Sequence, residues 1–325
     1  MDWQQRRVFV TGATGIVGSW LVKGLLQKGA HVVALVRDWD PQSELIRSGD
    51  VNQTSVISGA LEEFATVERA INEHEIDTVF HLGAQTIVGT ALRNPLPTFE
   101  ANIRGTYNLL DVCRIHRSLV KRVVVASSDK AYGEVETLPY TEEMPPNGQH
   151  PYDVSKSCAD LIATAYAHTY KLPVTVARCG NIYGGGDLNW SRIVPDTIRS
   201  VLNNQRVRLR SDGRNIRDYI YVRDIAEGYL LLAEKTPADG IRGEAFNFSN
   251  DSKATVLQIA RKIQQLMDRT DLEPIVLNQA EAEIKDQYLD SSKARRLLEW
   301  APRYTLDEGL RETIAWYRQF FGASQ

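Results

Sequence analysis

The sequence has little cysteine, no excess of basic residues and no long apolar run. Its three cysteines, Cys113, Cys158 and Cys179, form no C-x-x-C pair and have no metal-type spacing, so we expect buried thiols in a reducing compartment and no metal site. The formal net charge of −3 argues against a nucleic-acid-binding protein. No stretch reaches the roughly 18 apolar residues of a membrane span, and Arg6 and Arg7 precede a short strand pattern rather than a signal peptide. We therefore predict a soluble, cytoplasmic protein that binds neither nucleic acid nor membranes.

Length and composition are those of an ordinary globular protein. The 325 residues suffice for one large α/β unit and a smaller lobe, and a hydrophobic fraction of 43% allows a substantial core. In the first half, nearly continuous Val, Ile and Phe runs alternate with amphipathic helical stretches, as in a parallel sheet covered on both faces. This pattern predicts an α/β fold with a doubly wound parallel sheet, followed by a smaller C-terminal α/β lobe.

The predicted elements follow one another closely until about Gly180, after which the pattern loosens. We predict strands over residues 8–11, 31–36, 54–58, 76–82, 121–127, 174–178 and 219–221. We predict helices over residues 17–27, 61–73, 97–115, 151–170, 193–203, 225–234, 254–267 and 291–299.

A glycine-rich loop, T-G-A-T-G-I-V-G at 11–18, joins the first predicted strand to the first predicted helix. Glycines there turn the chain tightly and let the backbone approach a pyrophosphate, which the positive end of the helix also favours. An ordinary strand-to-helix turn is the alternative, but the strand–loop–helix context favours a Rossmann-type dinucleotide site. Its predicted residues are Gly12, Thr14, Gly15, Ile16 and Gly18.

The end of the second predicted strand bears on which cofactor binds. An acidic residue there holds the ribose 2′-hydroxyl of NAD, whereas an arginine accommodates the 2′-phosphate of NADP. Arg37 directly follows the strand, so we favour NADP slightly; if Asp38 takes the hydroxyls instead, the cofactor is NAD. Further cofactor contacts are expected near the third and fourth strands, from Leu61, Leu82, Ala84 and Gln85.

Two short motifs carry the predicted chemistry. In Y-D-V-S-K, Tyr152 and Lys156 lie on one face of a helix. The lysine favours the phenolate, so Tyr152 can act as a base, and both side chains can contact the cofactor. In S-S-D-K-A-Y-G at 127–133, Ser128 can hydrogen-bond the reacting oxygen, with Asp129 as an acid and Lys130 as a possible base. The alternatives are two surface side chains and a salt-bridged loop pair.

These motifs resemble those of extended short-chain dehydrogenases/reductases that act on nucleotide sugars, over essentially the full chain. H-L-G-A-Q at 81–85, Asn102, C-G-N-I-Y-G with Asn181 and R-D-Y-I-Y-V-R-D-I-A at 217–226 also carry the resemblance. The Asp129-Lys130 pair is similar to that of the CDP-glucose 4,6-dehydratase group, whereas most 4,6-dehydratases have Asp-Glu there. Arg37-Asp38 is closer to GDP-mannose 4,6-dehydratases, and the segment at 86–92 differs from the CDP-glucose enzymes, so the nucleotide stays open.

The resemblance implies an internal redox cycle that converts a nucleoside-diphosphate hexose, with CDP-glucose favoured, to the 4-keto-6-deoxy sugar. Tyr152 would take the hydroxyl proton at carbon 4 while NAD or NADP takes the hydride, and Asp129 would assist loss of the carbon-6 hydroxyl. Lys130 would take the proton from carbon 5. A lysine can do so only when neutral, so a purely electrostatic role is the alternative.

The resemblance also implies how the substrate binds and how chains pair. Candidates for contact with the diphosphate are Arg192, Arg210 and Arg217, because a guanidinium binds phosphate bidentately. For Arg210 a solvated surface arginine is the alternative, and Asn181 is expected to contact the diphosphate as well. Residues 1–178, with part of 218–248, would form the dinucleotide-binding domain, and 179–325 the nucleotide-sugar-binding lobe. The long helices at 97–115 and 151–170 would build a homodimer interface, with a tetramer as the alternative.

Two other functions stay open at this point. A nucleotide-sugar 4-epimerase of the same fold would need no acid after Ser128 and would tolerate Asp129→Asn. A non-catalytic dinucleotide sensor would be expected to have lost Tyr152 or Lys156, but both are present.

Overall fold

The computed structural model describes residues 1–251, 253–279 and 284–322. The strands, in chain order, are β1 (Arg7–Thr11), β2 (His31–Val36), β3 (Ser55–Ser58), β4 (Thr78–His81), β5 (Arg122–Ala126), β6 (Val174–Cys179), β7 (Asn181–Tyr183), β8 (Arg208–Leu209), β9 (Ile216–Tyr221), β10 (Ala245–Phe248), β11 (Lys253–Thr255), β12 (Ile275–Val276) and β13 (Asp286–Gln287). The α-helices are α1 (Ile16–Gln27), α2 (Glu44–Arg47), α3 (Phe64–Glu73), α4 (Val88–Arg93), α5 (Pro95–Phe99), α6 (Gly105–Ile115), α7 (Pro151–Tyr170), α8 (Ile193–Leu202), α9 (Val222–Lys235), α10 (Val256–Leu266) and α11 (Leu306–Phe320).

The main sheet has seven parallel strands in the order β10-β6-β5-β4-β1-β2-β3. The chain builds outward from β1 to β3 on one side and from β4 to β6 on the other. The order therefore reverses between β1 and β4, and in such sheets ligands bind at the carboxyl ends of the strands beside this point. The predicted doubly wound α/β fold is confirmed.

Both faces of the main sheet are buried, which explains why its strands are apolar throughout. In β1, Val8 and Val10 belong to the core on the face covered by α1 and α9. Phe9, between them, belongs to the core on the opposite face, which also contains residues of α3, α6 and α7. Alternate side chains of one strand thus enter two different cores.

A second, smaller sheet is built around β9, which pairs antiparallel with β11 and parallel with β13 and β7. Its core includes apolar residues of α8, α10 and α11. The chain then returns to the main sheet, because β10 pairs with β6. The predicted division at residues 178 and 179 stays a prediction.

No element was predicted at the positions of β7, β8, β10, β12, β13, α2 and α4. Three further differences concern helical segments. The long helix predicted over 97–115 consists of α5, a π-helical turn at Glu100–Arg104 and α6. The helix predicted over 291–299 contains a π-helical turn at Ala294–Leu298. The C-terminal helix α11 was not predicted, although Thr305 and Glu308 form the capping box that begins it. Within the described ranges, no helix is both long enough and apolar enough to cross a membrane.

Candidate active site

The glycine loop lies between β1 and α1, and its glycines are required by close backbone approaches. Gly12 has a φ of 69°, and a Cβ on it would lie 2.7 Å from the Gly83 nitrogen. A Cβ on Gly18 would lie 2.1 Å from the Gly12 carbonyl oxygen. Gly15 is the N-cap of α1, and no side chain of the described residues caps this helix end. The backbone amides at this helix end therefore have no side-chain cap within the described part of the chain and can donate hydrogen bonds to a pyrophosphate.

The loop after β4 is held against this glycine loop. The Thr11 hydroxyl accepts hydrogen bonds from the Leu82 and Gly83 amides at 3.1 and 3.0 Å. Leu61 packs against this loop. A Cβ added to Gly83 would lie 2.8 Å from Leu61 Cδ1. His81 bonds Thr11 through Nδ1, and burial lowers the pKa of its imidazole to about 3. His81 is therefore a neutral structural residue.

The pair that was expected to select the cofactor is exposed at the end of β2. Arg37 donates from Nε to a carboxylate oxygen of Asp38 at 2.7 Å. Both side chains are largely exposed, at 61% and 75%, so this ion pair is weak. The contact therefore does not by itself select between NAD and NADP.

Asn102 joins the cofactor loop to the catalytic helix. It lies in the π-helical turn and accepts a hydrogen bond from the Gln85 amide at 2.7 Å. Its Nδ2 donates to the Gln85 carbonyl at 3.0 Å and to the Ser155 hydroxyl at 2.9 Å. Ser155 donates in turn to the Tyr152 carbonyl. A π-helical turn at such a position is typical of functional sites, and Asn102 was not among the predicted site residues.

Tyr152 and Lys156 lie buried in the first two turns of α7, which begins at Pro151. Burial raises the pKa of Tyr152 to about 12, and the Arg192 guanidinium and a hydrogen bond with Ser128 lower it. Burial lowers the pKa of Lys156 to about 8, and its Nζ donates to the Ala126 carbonyl at 2.8 Å. Lys156 is thus fixed to the end of β5, and Arg192 is the cation that favours the phenolate of Tyr152.

The Ser128-Asp129-Lys130 turn follows β5 directly. Ser128 donates from its hydroxyl to Asp129 Oδ1 at 2.9 Å and accepts from the Lys130 amide at 3.3 Å. Asp129 is only 4% exposed, and burial raises the pKa of its carboxyl. Its Oδ2 is buried and has no hydrogen-bond partner among residues 1–251, 253–279 and 284–322. These features fit a protonated acid that has a hydrogen to donate.

The Lys130 side chain reaches the second sheet. Its Nζ donates to Gln287 Oε1 at 3.0 Å. The charges acting on it come from Asp129 in its own turn and from Asp153 on α7. Gln287 was not predicted, and no motif in the sequence pointed to it.

The predicted substrate residues lie on three different elements. Asn181 is exposed on β7. Arg192 immediately precedes α8 and pairs with Asp187 at 3.2 Å. Arg217, on β9, donates to the backbone carbonyls of residues 216, 284 and 285 at 2.7–2.8 Å. Arg217 also lowers the pKa of Asp129, so Arg217 lies near the catalytic turn. Its guanidinium, however, binds backbone carbonyls there.

Comparison with known proteins agrees with this geometry. Residues 9–313 match the family model described as GDP-mannose 4,6 dehydratase. A CDP-glucose 4,6-dehydratase of Salmonella typhimurium is 33% identical, over 97% of this chain and 91% of that protein. The dTDP-glucose 4,6-dehydratase of Streptomyces venezuelae with NAD bound superposes with a TM-score of 0.88 at 25% identity, covering 97% of this chain and 98% of that one.

An epimerase is also among the similar structures. The UDP-glucose 4-epimerase of Thermotoga maritima with UDP-glucose gives a TM-score of 0.87 at 28% identity, covering 97% of this chain and 99% of that one. The fold is therefore shared by enzymes that catalyse different reactions. The predicted resemblance to nucleotide-sugar 4,6-dehydratases is nevertheless confirmed, because the matching family model spans most of the sequence. The chain belongs to the GDP-mannose 4,6 dehydratase family of enzymes.

Proposed function

We propose that this protein is a nucleotide-sugar 4,6-dehydratase that works with bound NAD and acts on CDP-glucose. The observation that carries the reaction type is Asp129, a buried acid with an unpartnered oxygen among the described residues. It lies between Ser128 and Lys130, and Ser128 also bonds Tyr152. An epimerase would have no use for such an acid. The choice of CDP-glucose rests on the Asp129-Lys130 pair and on the 33% identical relative.

The first step is oxidation at carbon 4. Tyr152 removes the proton of the carbon-4 hydroxyl, and Ser128 holds the oxygen. NAD held at the glycine loop would supply the oxidant for carbon 4 and the reductant for carbon 6. Tyr152 must be ionised to accept the proton, and Arg192 and Ser128 favour that form.

The second step removes water. The ketone at carbon 4 makes the proton on carbon 5 acidic, and Lys130 takes this proton. Asp129 gives its own proton to the carbon-6 hydroxyl, the carbon–oxygen bond breaks and water leaves. Reduction at carbon 6 and return of the proton from Lys130 to carbon 5 would give the 4-keto-6-deoxy sugar. The net change is the loss of one water, with no net oxidation.

The cofactor site fits NAD. Gly12 and Gly18 form a cradle that a Cβ would fill, and α1 offers its uncapped N-terminus. Thr14, Gly15, Ile16, Leu82, Ala84 and Gln85 complete the proposed contacts. Asp38 would take the ribose hydroxyls. The NAD bound in the Streptomyces venezuelae neighbour favours NAD, and the slight preference for NADP has no support.

The proposal extends to substrate binding and to the pairing of chains. Asn181 and Arg192 would contact the diphosphate, whereas the Arg217 guanidinium holds the backbone carbonyls of residues 216, 284 and 285. A homodimer would form through α6 and α7, each of which leaves large apolar side chains exposed, including Tyr107 and Leu161.

A panel of substrates tests the proposal. Purified protein is incubated separately with CDP-, GDP-, UDP- and dTDP-glucose, and mass spectrometry follows the loss of water. We expect CDP-glucose to lose one water fastest. Faster reaction of another nucleotide would contradict the choice of CDP, and no water loss from any of them would contradict the dehydratase.

Asp129→Asn separates a dehydratase from an epimerase. We expect water loss to fall by at least about 100-fold, because an amide cannot supply the proton, while the absorbance of reduced nicotinamide still develops. The matched control is Asp196→Asn, which removes an ion pair with Arg199 on α8 and should react as wild type does. An Asp129→Asn variant that turns over like the control would favour the epimerase.

A further inference from the structure

Gln287 is the hydrogen-bond partner of the Lys130 amine. It belongs to β13, 157 residues after the catalytic turn, and its Oε1 accepts the hydrogen bond from Lys130 Nζ at 3.0 Å. The Gln287 side chain is fully buried. A buried carboxamide has few alternative positions, so the amine that it holds is fixed as well.

The backbone on both sides of Gln287 is anchored. β13 pairs in parallel with β9, where Gln287 lies opposite Arg217. Arg217 holds the carbonyls just before the strand, and the Leu289 amide just after it donates to Asp218 Oδ2 at 3.3 Å. Backbone bonds of Tyr140 to residues 288 and 290 tie the same segment to the loop that follows the catalytic turn. The second sheet therefore delivers Gln287 to a defined point.

A neutral acceptor is the chemistry that a reacting lysine needs there. The amine sits on a flexible four-carbon stem, and the charged groups facing it are the carboxyls of Asp129 and Asp153. An ion pair with either carboxylate would draw the amine away and hold its proton. The Gln287 carboxamide fixes the amine without adding negative charge.

We infer that Gln287 is a positioning residue for the elimination step, which it serves by holding Lys130 Nζ in place for carbon 5 of the sugar. This inference rests on the proposed function. Gln287 bonds Lys130, the proposed base at carbon 5, so its loss should slow water loss without slowing oxidation.

The test compares Gln287→Met with Gln264→Met. Methionine keeps the volume and removes the acceptor. Gln264 is also a buried glutamine, but it lies in α10 and bonds the Leu272 carbonyl. Oxidation is followed by the absorbance of reduced nicotinamide, and elimination by exchange of the carbon-5 proton with deuterated solvent and by water loss.

In Gln287→Met we expect elimination to slow by at least about tenfold, since misplacement of a reacting group by 1 Å can cost up to about 100-fold. Reduced nicotinamide should accumulate, and Gln264→Met should behave as wild type. Gln287→Glu, which keeps the shape but adds a charge, should also slow elimination selectively. Equal slowing of oxidation and elimination in Gln287→Met, or no slowing, would overturn the inference.

A measurement without substrate keeps this test separate from the proposed function. The rate at which an amine-specific reagent labels Lys130 is read by peptide mass spectrometry. We expect labelling of Lys130 to be several-fold faster in Gln287→Met than in wild type or Gln264→Met, because the amine is released. Unchanged labelling would overturn the contact. If no nucleotide sugar loses water with wild type, the proposed function fails while the labelling still tests Gln287.

Discussion

Burial sets the protonation of each ionisable side chain at the centre of the site. It raises the pKa of Asp129, raises that of Tyr152 to about 12 and lowers that of Lys156 to about 8. Desolvation is the largest cause in all three cases, and it favours the neutral form of each group. A raised pKa on Asp129 suits an acid that gives its proton to a leaving hydroxyl. A phenol kept protonated needs a nearby cation before it can act as a base, and the structure provides Arg192.

Arg192→Gln tests that cation. The base form of Tyr152 is the ionised one, so oxidation at carbon 4 rises with pH through the pKa of Tyr152. Removing the guanidinium raises this pKa, and the rising limb of the pH profile should therefore move to higher pH. The measurement is the initial rate of nicotinamide reduction across pH, at saturating substrate.

Asp187→Asn is the companion variant, because Asp187 forms an ion pair with Arg192. Its substitution should move the rising limb of the pH profile only through its effect on Arg192. A higher KM in Arg192→Gln with an unmoved limb would mean that Arg192 binds the diphosphate but does not act on Tyr152.

At the scale of elements, most long periodic segments were predictable, but the 15-residue helix α11 was missed and the four-residue strands β3 and β4 were found. The strand at 31–36 and the helix at 151–170 were predicted to the residue, since one is a continuous apolar run and the other begins with Pro151 at its first position. β7, β10 and β13 have two to four residues, too few for a pattern to register. The π-helical turn was missed because the sequence pattern over 97–115 does not distinguish it from a continuous α-helix.

Two glycines of α1 provide a matched pair for the cofactor loop. Gly18→Ala should weaken NAD binding by at least tenfold, because its Cβ would lie 2.1 Å from the Gly12 carbonyl oxygen and must displace the loop. On Gly24 a Cβ meets only Leu230 Cδ1 at 3.6 Å, an ordinary contact. Gly24→Ala should therefore keep NAD affinity and raise the free energy of unfolding by up to about 1 kcal/mol.

NAD titration and chemical denaturation measure both effects. Wild-type affinity in Gly18→Ala would contradict the assignment of this loop to the cofactor. Weakened NAD binding in Gly24→Ala would show that the helix, rather than the loop, carries the effect.

At the scale of the whole molecule, the site is assembled from parts that are distant in the sequence. The glycine loop, Tyr152 and the Ser128-Asp129-Lys130 turn could be found because each has a motif and lies on a predictable element. Gln287 could not, since its contact with Lys130 depends on how the second sheet packs against the first. For the same reason the sequence did not show that the Arg217 guanidinium holds the backbone of residues 284 and 285.

The proposed homodimer can be tested on its apolar surface. Leu161 on α7 is 54% exposed, and Leu161→Glu should dissociate the dimer because it would place a charge in an apolar interface. The control is Leu297→Glu, at an exposed position outside α6 and α7. Sedimentation velocity measures both, and a Leu161→Glu protein that sediments as the control does would contradict an interface at α7.

The proposed dehydratase reaction is tested most directly by following one deuterium atom from carbon 4 of the substrate. CDP-glucose deuterated at carbon 4 is incubated with the protein in ordinary water, and the product is analysed by mass spectrometry and NMR. Internal transfer predicts a 4-keto-6-deoxy sugar that has lost one water and carries the deuterium at carbon 6. Deuterium lost to solvent, or a sugar that keeps all its oxygen and is inverted at carbon 4, would contradict the dehydratase.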